Sequence, residues 1–158
     1  MFDAALVQVA TALRDARDPW WVIGSAAVRL HGGDTSVADI DVLTSAQDAE
    51  RLLETWAGAA TIGGASDRFR SHPFARLDGA ALPVEVMADL ELRTESGWQR
   101  VRPLTRVARG DVFVPDRDEL RAILRAFGRG KDLARAALLD PPAAQPTDGE
   151  AACGPARA

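Results

Sequence analysis

The chain contains one cysteine, one lysine and no tyrosine among its 158 residues. The single Cys153 excludes an internal disulfide framework and any zinc site built from several cysteines. No apolar run approaches the ~20 residues that a membrane-spanning helix needs. The first residues carry acids where a signal peptide needs a basic start. We therefore expect a protein of the cytoplasm that has no membrane helix.

Charge is distributed unevenly along the chain. The net charge of −4 excludes a generally basic nucleic-acid coat, although it leaves room for a local basic face. Residues 1–98 hold 8 basic and 15 acidic side chains, whereas residues 99–139 hold 10 basic and 5 acidic ones. Such a division suits a site with a metal on one wall and phosphates on the other. It equally suits helix faces that carry surface salt bridges.

Apolar periodicity and turn residues indicate how the chain folds. The pattern predicts helices over 2–18, 26–30, 45–56, 116–127 and 131–139, and strands over 20–23, 37–43, 69–77, 82–87 and 111–114. Helices alternate with strands early in the chain and neighbouring strands pair later. This order predicts an α+β or α/β fold. We expect one domain over 1–139 and a disordered tail, rich in proline and alanine, over 140–158.

Acidic residues stand at two points of the predicted sheet. Asp39 and Asp41 are two positions apart, so on one strand their carboxylates would share a face while Ile40 enters the core. Two such carboxylates repel one another, and a divalent cation would remove that repulsion. Oxygen ligands favour Mg²⁺ or Mn²⁺ over zinc. Glu85, between two valines on another strand, is the candidate third ligand. The alternative is that these acids are only the exposed positions of alternating strands.

A glycine and a serine stand where the first strand gives way to a helix. Free backbone N–H groups at a helix start bind phosphate oxygens, Gly24 permits close backbone approach, and the Ser25 hydroxyl can donate to a phosphate. The spacing of a P-loop is absent. For Gly24-Ser25 taken alone, a plain helix cap is the favoured explanation.

Taken together, these segments resemble the nucleotidyltransferase superfamily that includes DNA polymerase beta and kanamycin nucleotidyltransferase. Residues 24–32 read GSAAVRLHG, residues 39–43 read DIDVL, and residues 83–87 read PVEVM. The order of Gly-Ser, Asp-x-Asp and a later acid on a strand is similar to the signature of that superfamily. The small bacterial members, many encoded in toxin–antitoxin operons, are the most similar. The segment GRGKDL over 128–133 also resembles a stretch near the C-terminus of related small members.

The resemblance implies a fold, a chemistry and a set of residues. It implies a mixed sheet flanked by helices, Mg²⁺ or Mn²⁺ at Asp39, Asp41 and Glu85, and nucleoside triphosphate phosphates at Gly24 and Ser25. Lys131 and Arg129, at the start of the last helix, are candidates for the triphosphate as well. The third acid is a glutamate where aspartate is commoner, and Asp89 is its rival.

The expected activity is metal-dependent transfer of a nucleoside monophosphate from an NTP to an acceptor hydroxyl, with release of pyrophosphate. The acceptor stays open between a small molecule, a protein side chain and an RNA end. One alternative function is an inactive or weakly active module that binds a helical protein partner in the manner of an antitoxin. Another is modification of RNA ends, for which the basic segment 99–139 would supply the phosphate-binding surface.

Overall fold

The computed structural model describes residues 1–141, which form five helices and ten strands. In chain order these are α1 (Phe2–Ala12), β1 (Trp21–Ile23), α2 (Gly24–Leu30), β2 (Ile40–Thr44), α3 (Ala46–Thr55), β3 (Ala60–Gly63), β4 (Phe69–Arg70), β5 (Phe74–Leu77), β6 (Val84–Ala88), β7 (Glu91–Thr94), β8 (Gly97–Arg100), β9 (Val107–Arg109), β10 (Val112–Val114), α4 (Arg117–Phe127) and α5 (Gly130–Ala137). No helix in this part of the chain has the length and apolar character needed to cross a bilayer.

A five-stranded sheet in the order β1-β2-β6-β5-β3 forms the centre of the molecule. Strands β2 and β6 are parallel, and the other neighbours are antiparallel. This arrangement confirms the mixed sheet and the α+β class. The β7–β8 hairpin and β4 form a second sheet, and β9 and β10 form a third.

The two faces of the central sheet have different environments. On one face, a row of buried residues runs through Val22, Val42, Val86 and Ala75, and side chains from α1, α2, α3 and α4 pack over it. The other face carries a smaller cluster of Trp21, Ile23, Leu43, Leu90, Leu92 and Phe127. Because this second cluster covers only part of its face, polar residues of the same face border an open cleft.

The helices predicted to begin at 45 and 116 both carry side-chain caps. Ser45 Oγ accepts from the backbone N–H of Asp48 at 3.2 Å, and Asp116 Oδ1 accepts from that of Glu119 at 2.8 Å. The Asp48 carboxylate is buried, and it accepts the backbone N–H groups of Arg17 and Asp18. It thereby fixes the connection that leads from α1 into β1.

Several predicted boundaries differ from the structure. Helix α1 ends at Ala12 rather than near 18, strand β2 begins at Ile40 rather than 37, and α5 covers Gly130–Ala137. The strand expected over 69–77 is two strands of different sheets, β4 and β5. Of the expected tail, residues 142–158 lie outside the described part of the chain. Asp140 is described, and its carboxylate accepts from Arg125 at 2.9 Å.

Candidate active site

The turn between β1 and α2 is in direct contact with an acidic side chain of β2. Gly24 has a φ of +65°, a conformation that L side chains rarely adopt. A Cβ at this position would lie 2.1 Å from Asp41 Oδ2. Only glycine therefore lets the backbone turn here and leaves room for the carboxylate. Beside it, Ser25 is 1% exposed, and its hydroxyl has no hydrogen-bond partner within residues 1–141.

Asp41 belongs to a row of side chains that crosses four strands on the open face. Its register partner on β1 is Ile23, its partner on β6 is Glu85, and the partner of Glu85 on β5 is Arg76. Adjacent strands lie about 4.8 Å apart, so Asp41 and Glu85 occupy neighbouring positions on one face. Asp41 and Glu85 therefore come from adjoining strands and share one face of the sheet.

Asp39 lies just before β2 instead of within it, yet it borders the same cleft as Asp41. Burial, together with the charges of Asp39 and Glu85, raises the pKa of the Asp41 carboxyl to about 7. Arg135 and Lys131 oppose the rise. A bound divalent cation stabilises a partly buried carboxylate that resists ionisation, so Asp41, with Asp39 at the same cleft, fits such an ion.

Glu85 is not gathered with these two acids. Its Oε1 accepts from Arg76 Nη1 at 2.9 Å. In the described part of the chain, no three His, Cys, Asp or Glu side chains already converge as a metal cluster. The rival third acid, Asp89, lines a different cavity and pairs with Arg100. The structure thus places Asp39, Asp41 and Glu85 at one cleft, where Glu85 is paired with Arg76 of β5.

The wall opposite the carboxylates is basic. A cleft of about 370 Å³ runs between the acids and helix α5, whose Lys131 and Arg135 border it. These two residues are four apart and so lie on one face of α5. Lys131 forms no ion pair within residues 1–141. Arg135 was missed by the sequence reasoning, although its spacing from Lys131 was a sufficient signal.

Arg129 also borders the cleft, but its guanidinium is engaged elsewhere. Its Nε and Nη2 donate to the two carboxylate oxygens of Asp132 at 2.6 and 3.1 Å. The same guanidinium lies 4.8 Å from the centre of the Phe69 ring. Asp132 is only 1% exposed, so Arg129 neutralises a buried charge. Its contacts make Arg129 a less accessible phosphate ligand than Lys131.

Comparisons with known proteins identify a family and a fold for this chain. The family model described as aminoglycoside-2''-adenylyltransferase matches residues 5–91. Among proteins with curated functions, none matches the chain in sequence. An inferred nucleotidyltransferase from Thermotoga maritima is 25% identical, with a TM-score of 0.59 over 76% of this chain and 81% of that one.

Two solved antibiotic-modifying enzymes share the fold at lower identity. The lincosamide antibiotic adenylyltransferase LnuA, solved with lincomycin, is 12% identical with a TM-score of 0.56, over 85% of this chain and 94% of that one. ANT(2'')-Ia, solved with adenylyl-2''-tobramycin, is 12% identical with a TM-score of 0.54, over 88% of both chains. At this identity the likeness shows the fold alone.

Proposed function

Because this chain belongs to the aminoglycoside-2''-adenylyltransferase family, we propose that it is a metal-dependent nucleotidyltransferase that transfers AMP from ATP to an acceptor hydroxyl. The observation that carries the proposal is the contact between the Gly24 turn and the Asp41 carboxylate. It puts a backbone suited to phosphate beside a carboxylate suited to a cation. The chain would act in the cytoplasm.

Each group of side chains has a role in this proposal. Asp39 and Asp41 would hold Mg²⁺ or Mn²⁺, with Glu85 as the third ligand. A cation at this position lowers the pKa of the acceptor hydroxyl and neutralises charge on the phosphates. Triphosphate oxygens would bind to the Gly24 backbone and to the Ser25 hydroxyl, which has no hydrogen-bond partner within residues 1–141.

The remaining steps follow from the charges that border the cleft. Lys131 and Arg135 face the carboxylates and would attract the β- and γ-phosphates. The acceptor oxygen would attack the α-phosphorus while the bond from that phosphorus to the bridging oxygen breaks. The hydroxyl proton would pass to Glu85, and pyrophosphate would leave toward α5. Catalysis would consist mainly of positioning and charge neutralisation.

The acceptor that we propose is a hydroxyl of a small polycationic drug of the aminoglycoside class. The family carries that substrate in its name. Asp41 and Glu85, on neighbouring strands, would attract ammonium groups of the drug. A lincosamide, an RNA end and a protein side chain are the competing acceptors. The expectation of a toxin–antitoxin pairing stays a prediction.

One observation favours the alternative of a binding module without activity. Glu85 is paired with Arg76, so the three acids do not form a ready cluster within residues 1–141. A module of this kind would bind a helical protein partner whether or not nucleotide is present. Replacement of Asp39 and Asp41 would leave its binding of that partner unchanged, both with and without nucleotide.

The test is transfer of label from ATP carrying radioactive α-phosphate, in the presence of Mg²⁺. Tobramycin, kanamycin, lincomycin, tRNA and a cell lysate are offered in separate reactions, with GTP, CTP and UTP as alternative donors. Label on a drug, lost in Asp39→Asn and Asp41→Asn but kept in the exposed-turn control Glu95→Gln, supports the proposal. Absence of both transfer and Mg²⁺-dependent ATP binding would refute it.

A further inference from the structure

Glu85 occupies a position from which it can serve either of two neighbours. On β2 its register partner is Asp41, and on β5 its partner is Arg76. The neighbouring strands lie about 4.8 Å away on each side. A glutamate has one methylene more than an aspartate, so its carboxylate can lean toward either strand. In the structure the Glu85 carboxylate pairs with Arg76 of β5 at 2.9 Å.

The contact between Arg76 and Glu85 is of a kind that breaks readily. The side chains are 42% and 24% exposed, so water screens their attraction. Arg76 would not be left without a carboxylate if Glu85 moved, because Arg76 Nε already lies 3.9 Å from Asp78 Oδ1. An exchange of partners by Glu85 therefore carries a small energetic cost.

We propose that Arg76 is a positioning residue that holds Glu85 on the β5 side of the sheet until a divalent cation binds to Asp39 and Asp41. Glu85 then releases the guanidinium and joins the two aspartates. This inference rests on the proposed function, since it assumes that a cation occupies that pair. The inference explains why Glu85 is the register partner of Asp41 and yet forms no metal cluster with the two aspartates within the described residues.

The pairing makes Arg76 a competitor of the cation for Glu85. Removal of Arg76 should therefore strengthen cation binding. An exposed ion pair contributes less free energy than a tenfold change in affinity requires. The expected gain in Mn²⁺ affinity is therefore about twofold to fivefold. Loss of a positive charge would also strengthen binding through space, without any role for Glu85. A double-mutant cycle separates the two effects.

The experiment measures Mn²⁺ binding to the full chain by electron paramagnetic resonance, without nucleotide. The proteins are the wild type, Arg76→Gln, Glu85→Gln and the double variant. Arg125→Gln is the control for a lost surface charge, because Arg125 pairs with Asp140, away from the cleft. Arg76→Lys keeps the charge and one donor, and its affinity should return toward that of the wild type.

The inference predicts tighter binding by Arg76→Gln, with little of that gain in the Glu85→Gln background. An equal gain in both backgrounds, or a gain no larger than that of Arg125→Gln, would overturn it. Asp41→Asn tests the proposed function separately. If Asp41→Asn binds Mn²⁺ as the wild type does, the proposed metal site is wrong and the inference falls with it. If Asp41→Asn loses Mn²⁺ while the cycle shows no coupling, only the inference is wrong.

Discussion

The substitution Asp41→Asn should stabilise the metal-free protein at neutral pH. Burial and the charges of Asp39 and Glu85 raise the pKa of Asp41 to about 7, against a usual value of about 3.9. The folded state therefore holds a proton that the unfolded state has lost, and stability falls as the pH rises between these two values. A pKa difference of about three corresponds to an upper bound of about 4 kcal/mol.

The expected gain is smaller than that bound because Asp41 is not completely hidden. Its carboxylate borders the cleft and its residue surface is only partly buried, so water screens part of the repulsion. We expect Asp41→Asn to raise the free energy of unfolding by about 1–3 kcal/mol at pH 8 and by much less at pH 4.5. Asparagine has nearly the same shape, so it should fit beside Gly24.

Urea unfolding followed by circular dichroism, with chelator present, measures this difference at several pH values. Wild-type stability should decline between pH 4.5 and pH 7.5 more steeply than that of Asp41→Asn. The control Glu95→Gln, on an exposed turn, should decline in parallel with the wild type. Addition of Mg²⁺ should restore wild-type stability and leave Asp41→Asn unchanged. Parallel pH profiles for the wild type and Asp41→Asn would refute the argument that a destabilised carboxylate forms the site.

Three further substitutions separate the roles of individual residues. Gly24→Ala should lower kcat/KM by about 100-fold, because the added methyl displaces the adjacent carboxylate, whereas Gly32→Ala, at a similar positive φ but with open space around it, should keep activity. Arg129→Gln should cost about 1–3 kcal/mol in thermal or urea unfolding, since it leaves the buried Asp132 charge unpaired. Lys131→Gln should raise KM for ATP about tenfold in steady-state kinetics with an unchanged Tm. A stable Arg129→Gln, a destabilised Lys131→Gln, or equal effects of the two glycine substitutions would contradict these assignments.

Local signals in the sequence were sufficient for the parts of the fold that depend on neighbouring residues. The caps at Ser45 and Asp116 need only a side chain and a backbone group three residues on, and both are present. Strand β6 was visible because two strand-forming valines flank Glu85. Strand β3 was missed because all four of its residues are exposed and carry no alternating pattern.

The site could be predicted in outline because its acids follow local rules. Two aspartates that flank Ile40, and a glycine at a strand-to-helix turn, are visible in the sequence. The partner of Glu85 was not visible, because the pairing with Arg76 depends on the register of β5 against β6. The approach of Arg129 to the Phe69 ring depends likewise on how α5 packs near β4. Register and packing are set by the whole molecule.

The uneven distribution of charge has two physical origins, and the structure separates them. In the basic segment, Arg121 and Arg125 pair with Asp118 and Asp140 at the surface, as the salt-bridge explanation expects. Lys131, by contrast, faces the cleft, and with Arg135 it lowers the pKa that burial raises at Asp41. These two cations do not offset the burial of Asp41 and the repulsion from Asp39 and Glu85, so the folded protein retains an electrostatic cost at the cleft. A divalent cation bound together with the triphosphate would remove that cost. Part of the binding energy of the nucleotide would then come from relief of the unfavourable electrostatics at Asp41.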